Sequence, residues 1–278
     1  MSENFESLQK KLEKEPNNAE ILKQIGNHFY YSKDFEKAIE YYKKAIEADK
    51  NFYKAYYNMG NTLYMKNEFD EAVKYWQKAV ELNPEHHRSY YNLGFVYYEK
   101  FKNIEKAIEY LENSLKIEPD NPMAYHYLGL CYFDKNEFDK AEKFLLKVIE
   151  NSDNTEELGD TYYNLGNLYY EKKDYEKAIE YYKKSLKIFD KEHKALNNIA
   201  DCYLRLQDFD KALEYVNKAL QIFEYAAAYC TRGEIYLAQN KKQEALKDFE
   251  KAIKLDNNSS ILTSYAKSMI NEIMFGGK

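Results

Sequence analysis

YYNLGNLYYEK, residues Tyr162–Lys172, nearly repeats YYNLGFVYYEK at Tyr90–Lys100, and YYNMGNTLYMK at Tyr56–Lys66 is a looser third version. The glycine inside the phrase recurs along the chain. Gly26, Gly60, Gly94, Gly129, Gly166 and Gly233, with Ala200 in the place between the last two, follow one another at 34, 34, 35, 37, 34 and 33 residues. A second small residue runs in phase 12 or 13 positions later, as Ala38, Ala72, Ala107, Ala141, Ala178, Ala212 and Ala245. Two markers in register over seven copies describe a solenoid of stacked supersecondary units.

Inside a unit the apolar residues recur at three and four residues, as in Ala178, Ile179, Tyr182, Ser185 and Leu186, which is one face of an α-helix. Glu180 and Lys184 stand on the other face as an i,i+4 pair. Each unit therefore contains two amphipathic helices, with Lys172–Asp174 as the turn between them. Small residues at both markers predict that the two helices pass close together there. Pro84 and Pro119 require that a helix has already ended, and Asn121 before Pro122 reads as an N-cap with proline at the first helical position.

One full copy of the pattern is Tyr56, Met59, Gly60, Leu63, Ala72, Trp76, Ala79 and Pro84. It resembles the tetratricopeptide repeat family over roughly residues 19–258. The resemblance implies a right-handed all-α superhelix (solenoid) of seven helix-turn-helix repeats, at 19–52, 53–86, 87–121, 122–158, 159–192, 193–225 and 226–258. An N-terminal half-repeat over 1–18 follows from Phe5, Leu8 and Leu12, which fall where Val73, Trp76 and Val80 fall in a second helix. Residues 259–278 hold the amphipathic ILTSYAKSMINEIM and the tail FGGK, an expected capping helix. Its Ile261, Leu262, Ile270, Ile273 and Met274 are expected either to cover the last unit or to meet a second copy, giving a monomer or a weak dimer. Departures from the pattern are Arg232 for Leu, Ala200 for Gly, and Ser114, Val148 and Ser185 for Ala. One residue is inserted near KFKNIEK and three near NSDNTEEL, the latter a candidate hinge.

With 45% hydrophobic and 32% charged residues in 278, the chain has a core and a solvated surface, which excludes wholesale disorder. A net charge of −6 with no purely basic run gives no footprint for nucleic acid or an anionic membrane. MSENFESLQKK has no signal-peptide character and no stretch is apolar enough to span a bilayer, so no membrane insertion and a cytoplasmic location are expected. Cys131, Cys202 and Cys230, an odd set without CxxC spacing, fit free thiols. His28, His86, His87, His126 and His193 lack metal-ligand spacing, and no nucleophile, P-loop or dinucleotide motif occurs. No enzyme activity, cofactor or metal is expected.

In the family the first helix of each repeat lines a concave groove, and the resemblance carries that face onto particular residues here. Lys23 and Asn27, then Asn58, then Arg88 and Asn92, are similar to the carboxylate clamp with which co-chaperones hold the C-terminal tails of heat-shock chaperones. Arg88 keeps the charge of the lysine it replaces, whereas Asn92 stands where the clamp has an arginine. Tyr57, Tyr91, His126 and Tyr163 share one groove position, with Tyr127 beside His126, while Tyr42, Tyr97, Tyr169 and Tyr182 read as core. Lys54 joins Lys23 and Arg88 in a mildly basic region, and Asp160, Glu171, Asp201 and Glu234 make the later repeats acidic. The expected function is a non-catalytic scaffold or adaptor, co-chaperone-like, that binds a peptide or protein segment. The alternative is a structural subunit of a large assembly such as ciliary, transport or secretion machinery.

Overall fold

A computed structural model describes residues 5–256 and 261–275. Among them the chain is all-α, with sixteen helices and no strand. In order these are α1 (Phe5–Lys14), α2 (Ala19–Tyr31), α3 (Phe35–Ala48), α4 (Tyr53–Met65), α5 (Phe69–Leu82), α6 (His87–Glu99), α7 (Ile104–Ile117) and α8 (Pro122–Asp134). They continue as α9 (Phe138–Asn151), α10 (Thr155–Glu171), α11 (Tyr175–Leu186), α12 (His193–Arg205), α13 (Phe209–Ile222), α14 (Ala226–Ala238), α15 (Lys242–Leu255) and α16 (Ile261–Phe275). No described helix is long and apolar enough to cross a membrane. The chain divides into two compact units, residues 1–135 and 136–278.

The turn between α10 and α11 follows from two residues. Lys173 takes a left-handed conformation with φ of 61°, which lets the Asp174 amide reach back to the Tyr169 carbonyl at 2.9 Å and closes α10. Asp174 then caps α11, its side chain accepting from the Lys177 amide at 3.2 Å. Lys33, Asn67, Lys102, Asn136, Gln207 and Asn240 take the same left-handed conformation between first and second helices. The insertion near KFKNIEK is absorbed here, because Asn103 rather than the residue before it reaches back to Tyr97. The longer insertion is absorbed by helix: α10 has 17 residues where α4, α6, α8 and α12 have 13.

The marker glycines have a different neighbour from the one their pairing with alanine suggests. A β-carbon on Gly26 would lie 2.5 Å from Tyr42, on Gly60 2.5 Å from Trp76, and on Gly166 2.4 Å from Tyr182. Each of these rings stands four residues past the marker alanine and is buried. The glycine therefore makes room for a large ring, and the alanine fills the tight position one turn earlier. At Gly94 the occupant is Leu111, and at Ala200 the corresponding residue is the smaller Val216 of the same core cluster.

Tyr97 and Tyr169 take a second role as stacked pairs on the seam between the two helices. Tyr97 stacks on Tyr110 at 5.5 Å and 4°, and Tyr169 on Tyr181 at 5.3 Å and 5°. Lys106 and Lys177 lie over Tyr97 and Tyr169 at 5.0 and 4.9 Å. Phe29 with Tyr41 and Lys37, and Tyr203 with Tyr215 and Lys211, repeat the arrangement.

Both ends of the array are closed. Leu8 of α1 is buried with Ile21 and Ile25, while Glu6, Gln9, Lys10 and Glu13 face outward. Leu262, Met269, Ile270 and Ile273 of α16 pack on the core of the last repeat, and Lys267, Ser268, Asn271 and Glu272 are exposed. The capping reading thus holds for Leu262, Ile270 and Ile273, whereas Ile261 and Met274 remain exposed. Of the tail, only Phe275 lies within the described residues.

Candidate binding site

The first helices of the N-terminal unit are held together by a ladder of side-chain amides. Asn27 Oδ1 accepts from the Tyr42 hydroxyl and from Asn58 Nδ2, both at 2.8 Å. One repeat on, Asn61 Oδ1 accepts from Trp76 Nε1 at 3.0 Å and from Asn92 Nδ2 at 2.8 Å. The C-terminal unit repeats it with Asn167, Tyr182 and Asn198. Each rung joins two successive first helices to the ring that fills the glycine gap, so burial of the polar ring edge is compensated. Asn58 and Asn92 of the clamp-like set are thus architectural residues, and Asn27 retains its amide N–H groups for other use.

Arg88 lies at the start of α6, exposed and without a carboxylate partner among the described residues. It lines a cavity of about 370 Å³ with Asn27, Asn58, Tyr30, Tyr57 and Asn61. Three of the five clamp-like residues, Asn27, Asn58 and Arg88, therefore converge. Lys23 does not line this cavity; its ammonium is 2.6 Å from Glu20. Glu20, partly desolvated, is still held below the usual carboxylate range by hydrogen bonds from Lys23 and Gln24 and by the charge of Lys54.

An adjoining cavity of about 260 Å³ shares Tyr30, Tyr57 and Asn61 and adds Tyr64, Tyr91 and Phe95, with Asn92 at its wall. Tyr57 is propped by the His86 ring at 4.7 Å. Burial, with the charges of His87, Arg88 and Lys54, pushes His86 down to about 4, so it is a neutral ring at physiological pH. Tyr91 stacks on Phe95 at 6.2 Å, and Tyr127 of α8 packs edge-on against Phe95 at 5.1 Å and His126 at 5.5 Å. Tyr163 belongs to the C-terminal unit, where its hydroxyl meets Asn198 at 3.3 Å and burial raises its pKa.

Tyr30, Tyr64 and Phe95 extend this aromatic surface and escape the sequence reading, which follows a single row. The signal was present: Tyr64 is seven residues after Tyr57 and Phe95 four after Tyr91, hence on the same helical faces. The four acids of the C-terminal unit differ in their surroundings. Arg205 lies 3.1 Å from Asp201 and 3.4 Å from Glu234, so these acids share a cation, leaving Asp160 and Glu171 exposed. Partial desolvation of its carboxyl, with Glu156 and Glu192 nearby, raises the pKa of Asp160.

The tetratricopeptide repeat model matches residues 53–86, 87–121, 120–191 and 192–258, and a TPR repeat model matches 26–67. No curated protein matches the sequence. Among solved structures the chain is similar to YrrB, a TPR protein with an unusual peptide-binding site, with 28% identity and a TM-score of 0.60 over 68% of this chain and 95% of that one. A tetratricopeptide repeat protein from Parabacteroides merdae gives 21% identity and a TM-score of 0.63 over 92% and 98%. The APC/C hetero-tetramer Cut9-Hcn1 gives 21% and 0.62, over 83% of this chain but only 45% of that one. The period, the helix pairs and these matches agree, and the chain belongs to the tetratricopeptide repeat family of protein–protein interaction scaffolds, which are generally non-catalytic.

Proposed function

We propose that the N-terminal unit binds an extended protein segment across α2, α4 and α6, with an anionic group of that segment on Arg88 and an apolar side chain in the neighbouring aromatic cavity. The observation that carries this reading is the pair of cavities sharing Tyr30, Tyr57 and Asn61, one edged by an unpaired guanidinium and the other walled by Tyr64, Tyr91 and Phe95. Arg88 and the free amide hydrogens of Asn27 offer donors to a carboxylate, and each charge-assisted hydrogen bond contributes roughly 1.5–3 kcal/mol. Tyrosine walls give contact area at little rotamer cost. A chaperone C-terminal tail, which ends in a carboxylate, is one ligand of this chemistry. The likeness to YrrB adds support from a relative described as peptide-binding.

The test is affinity purification of the tagged full chain from its own cell lysate, beside Arg88→Glu and a Tyr57→Ala, Tyr91→Ala double variant. Loss of the same short-motif partners from both variants is the expected result. Retention of a fixed, stoichiometric partner set would overturn it and favour an assembly subunit docked through other surfaces.

A further inference from the structure

A cavity of about 500 Å³ lies in the C-terminal unit between α12, α14 and the capping helix α16, and it is independent of the site around Arg88. Leu204, Phe209, Leu237 and Met269 give it apolar walls, and Arg205, Glu234 and Tyr265 give it a polar floor. The floor is part of a chain of side chains crossing three helices. The Tyr170 hydroxyl donates to Asp201, Arg205 bridges Asp201 and Glu234, and Tyr265 of α16 lines the cavity beside Glu234. Two carboxylates thus share one guanidinium, so the floor is one positive charge short. Burial raises the Glu234 pKa, as expected of a carboxylate whose solvation is incompletely replaced.

A second cavity of about 400 Å³ adjoins the first through Gln207 and Phe209 and is lined by Asp208 and Asp210. Asp208 is paired with Lys211 at 2.6 Å, whereas Asp210 is exposed and has no ion pair among the described residues. Among the described residues Arg205 is the one cation lining either cavity. An apolar shaft ending on an undercompensated carboxylate matches a side chain with an aliphatic stem and a cationic head.

We propose that these two cavities form a second protein-binding site, which takes a lysine or arginine side chain from a partner segment. The stem of that side chain lies along Leu204, Leu237 and Met269, its head meets Glu234, and a second basic residue of the same segment meets Asp210. Tyr265 belongs to α16, so the capping helix both closes the array and builds one wall of this site.

The test uses arrays of heptapeptides with arginine fixed at the centre and randomised flanks, and matching arrays with citrulline at the centre, probed with the labelled full chain. Arginine peptides should bind at least about tenfold better, which corresponds to about 1.4 kcal/mol. Glu234→Gln should bring that ratio close to one, and so should Met269→Lys, which sets a cation in the cavity mouth; each is checked for an unchanged helical melting profile. Arg88→Glu should leave the ratio unchanged, which separates this site from the one on the N-terminal unit. Equal binding of arginine and citrulline peptides by the wild type, or a ratio that survives in whichever variant keeps its melting profile, would overturn the proposal.

Discussion

Gly166→Ala places a β-carbon 2.4 Å from Tyr182 Cδ1 and 2.5 Å from Cε1, where ordinary contact is 3.4–4 Å. The ring has little room to retreat. Tyr182 is 1% exposed, and its hydroxyl is held by Asn167 at 2.8 Å and Asn198 at 3.3 Å. Overpacking of this kind costs roughly 1–3 kcal/mol, and an overlap near 1 Å belongs at the upper end. Alanine recovers about 1 kcal/mol of helix propensity relative to glycine, so the net destabilisation is about 1–2 kcal/mol. Thermal unfolding followed by circular dichroism should show a fall of roughly 2–4 °C per kcal/mol. Gly233→Ala is the control, because its β-carbon meets Phe249 at 3.0 Å; there the smaller overlap and the propensity gain nearly cancel. The chain already contains the compensated pair, Ala200 with Val216. Gly166→Ala with Tyr182→Val should therefore be less destabilised than the sum of the single variants. A Gly166→Ala variant as stable as wild type, or strict additivity, would refute the account of why the ring faces a glycine.

Lys173→Gly relieves a left-handed backbone and should raise stability by about 0.5–1 kcal/mol, read as a higher melting temperature; a lower one would contradict the turn analysis. Arg232 forms a two-armed pair with the buried Asp248 at 2.7 and 2.8 Å. Arg232→Leu alone, which leaves Asp248 unpaired, should cost about 3–5 kcal/mol, while Arg232→Leu with Asp248→Tyr, the residues usual at those positions, should restore stability. His86 is pushed down from 6.5 to about 4 by burial, so its folded form binds its proton less readily than the unfolded chain. Its stabilising effect is therefore present above pH 6.5 and lost as pH falls toward 4, and His86→Asn should flatten the melting temperature across that window.

The repeat, the helix pairs, the turns and both caps are legible in the sequence because each rests on a local rule: a period of about 34, a helical face, a polar turn between two apolar stripes. The binding surface is legible only in part. Tyr57, Tyr91 and Arg88 are reached by counting from the glycine; Tyr64 and Phe95 share their helical faces and need only a second row, whereas Tyr30 joins them through packing between repeats. Asn27, Asn58 and Asn92 carry an ambiguous signal, since an amide that rungs the array together and one that holds a ligand occupy the same position. Asp201 and Glu234 are read only in part for a related reason: charge counted along the sequence omits Arg205, whose reach to the next helix offsets one of the two acids and is a tertiary fact.

The central claim is that a protein segment binds around Arg88 and the aromatic cavity beside it. It is tested most directly by panning a random peptide library with free C-termini on the immobilised full chain, then measuring the enriched peptides by fluorescence anisotropy against wild type and Arg88→Glu. The account predicts enrichment of sequences carrying a carboxylate next to an apolar residue, and a loss of at least about tenfold, or 1.4 kcal/mol, on Arg88→Glu. Enriched peptides without that pairing, or an affinity indifferent to the substitution, would contradict it.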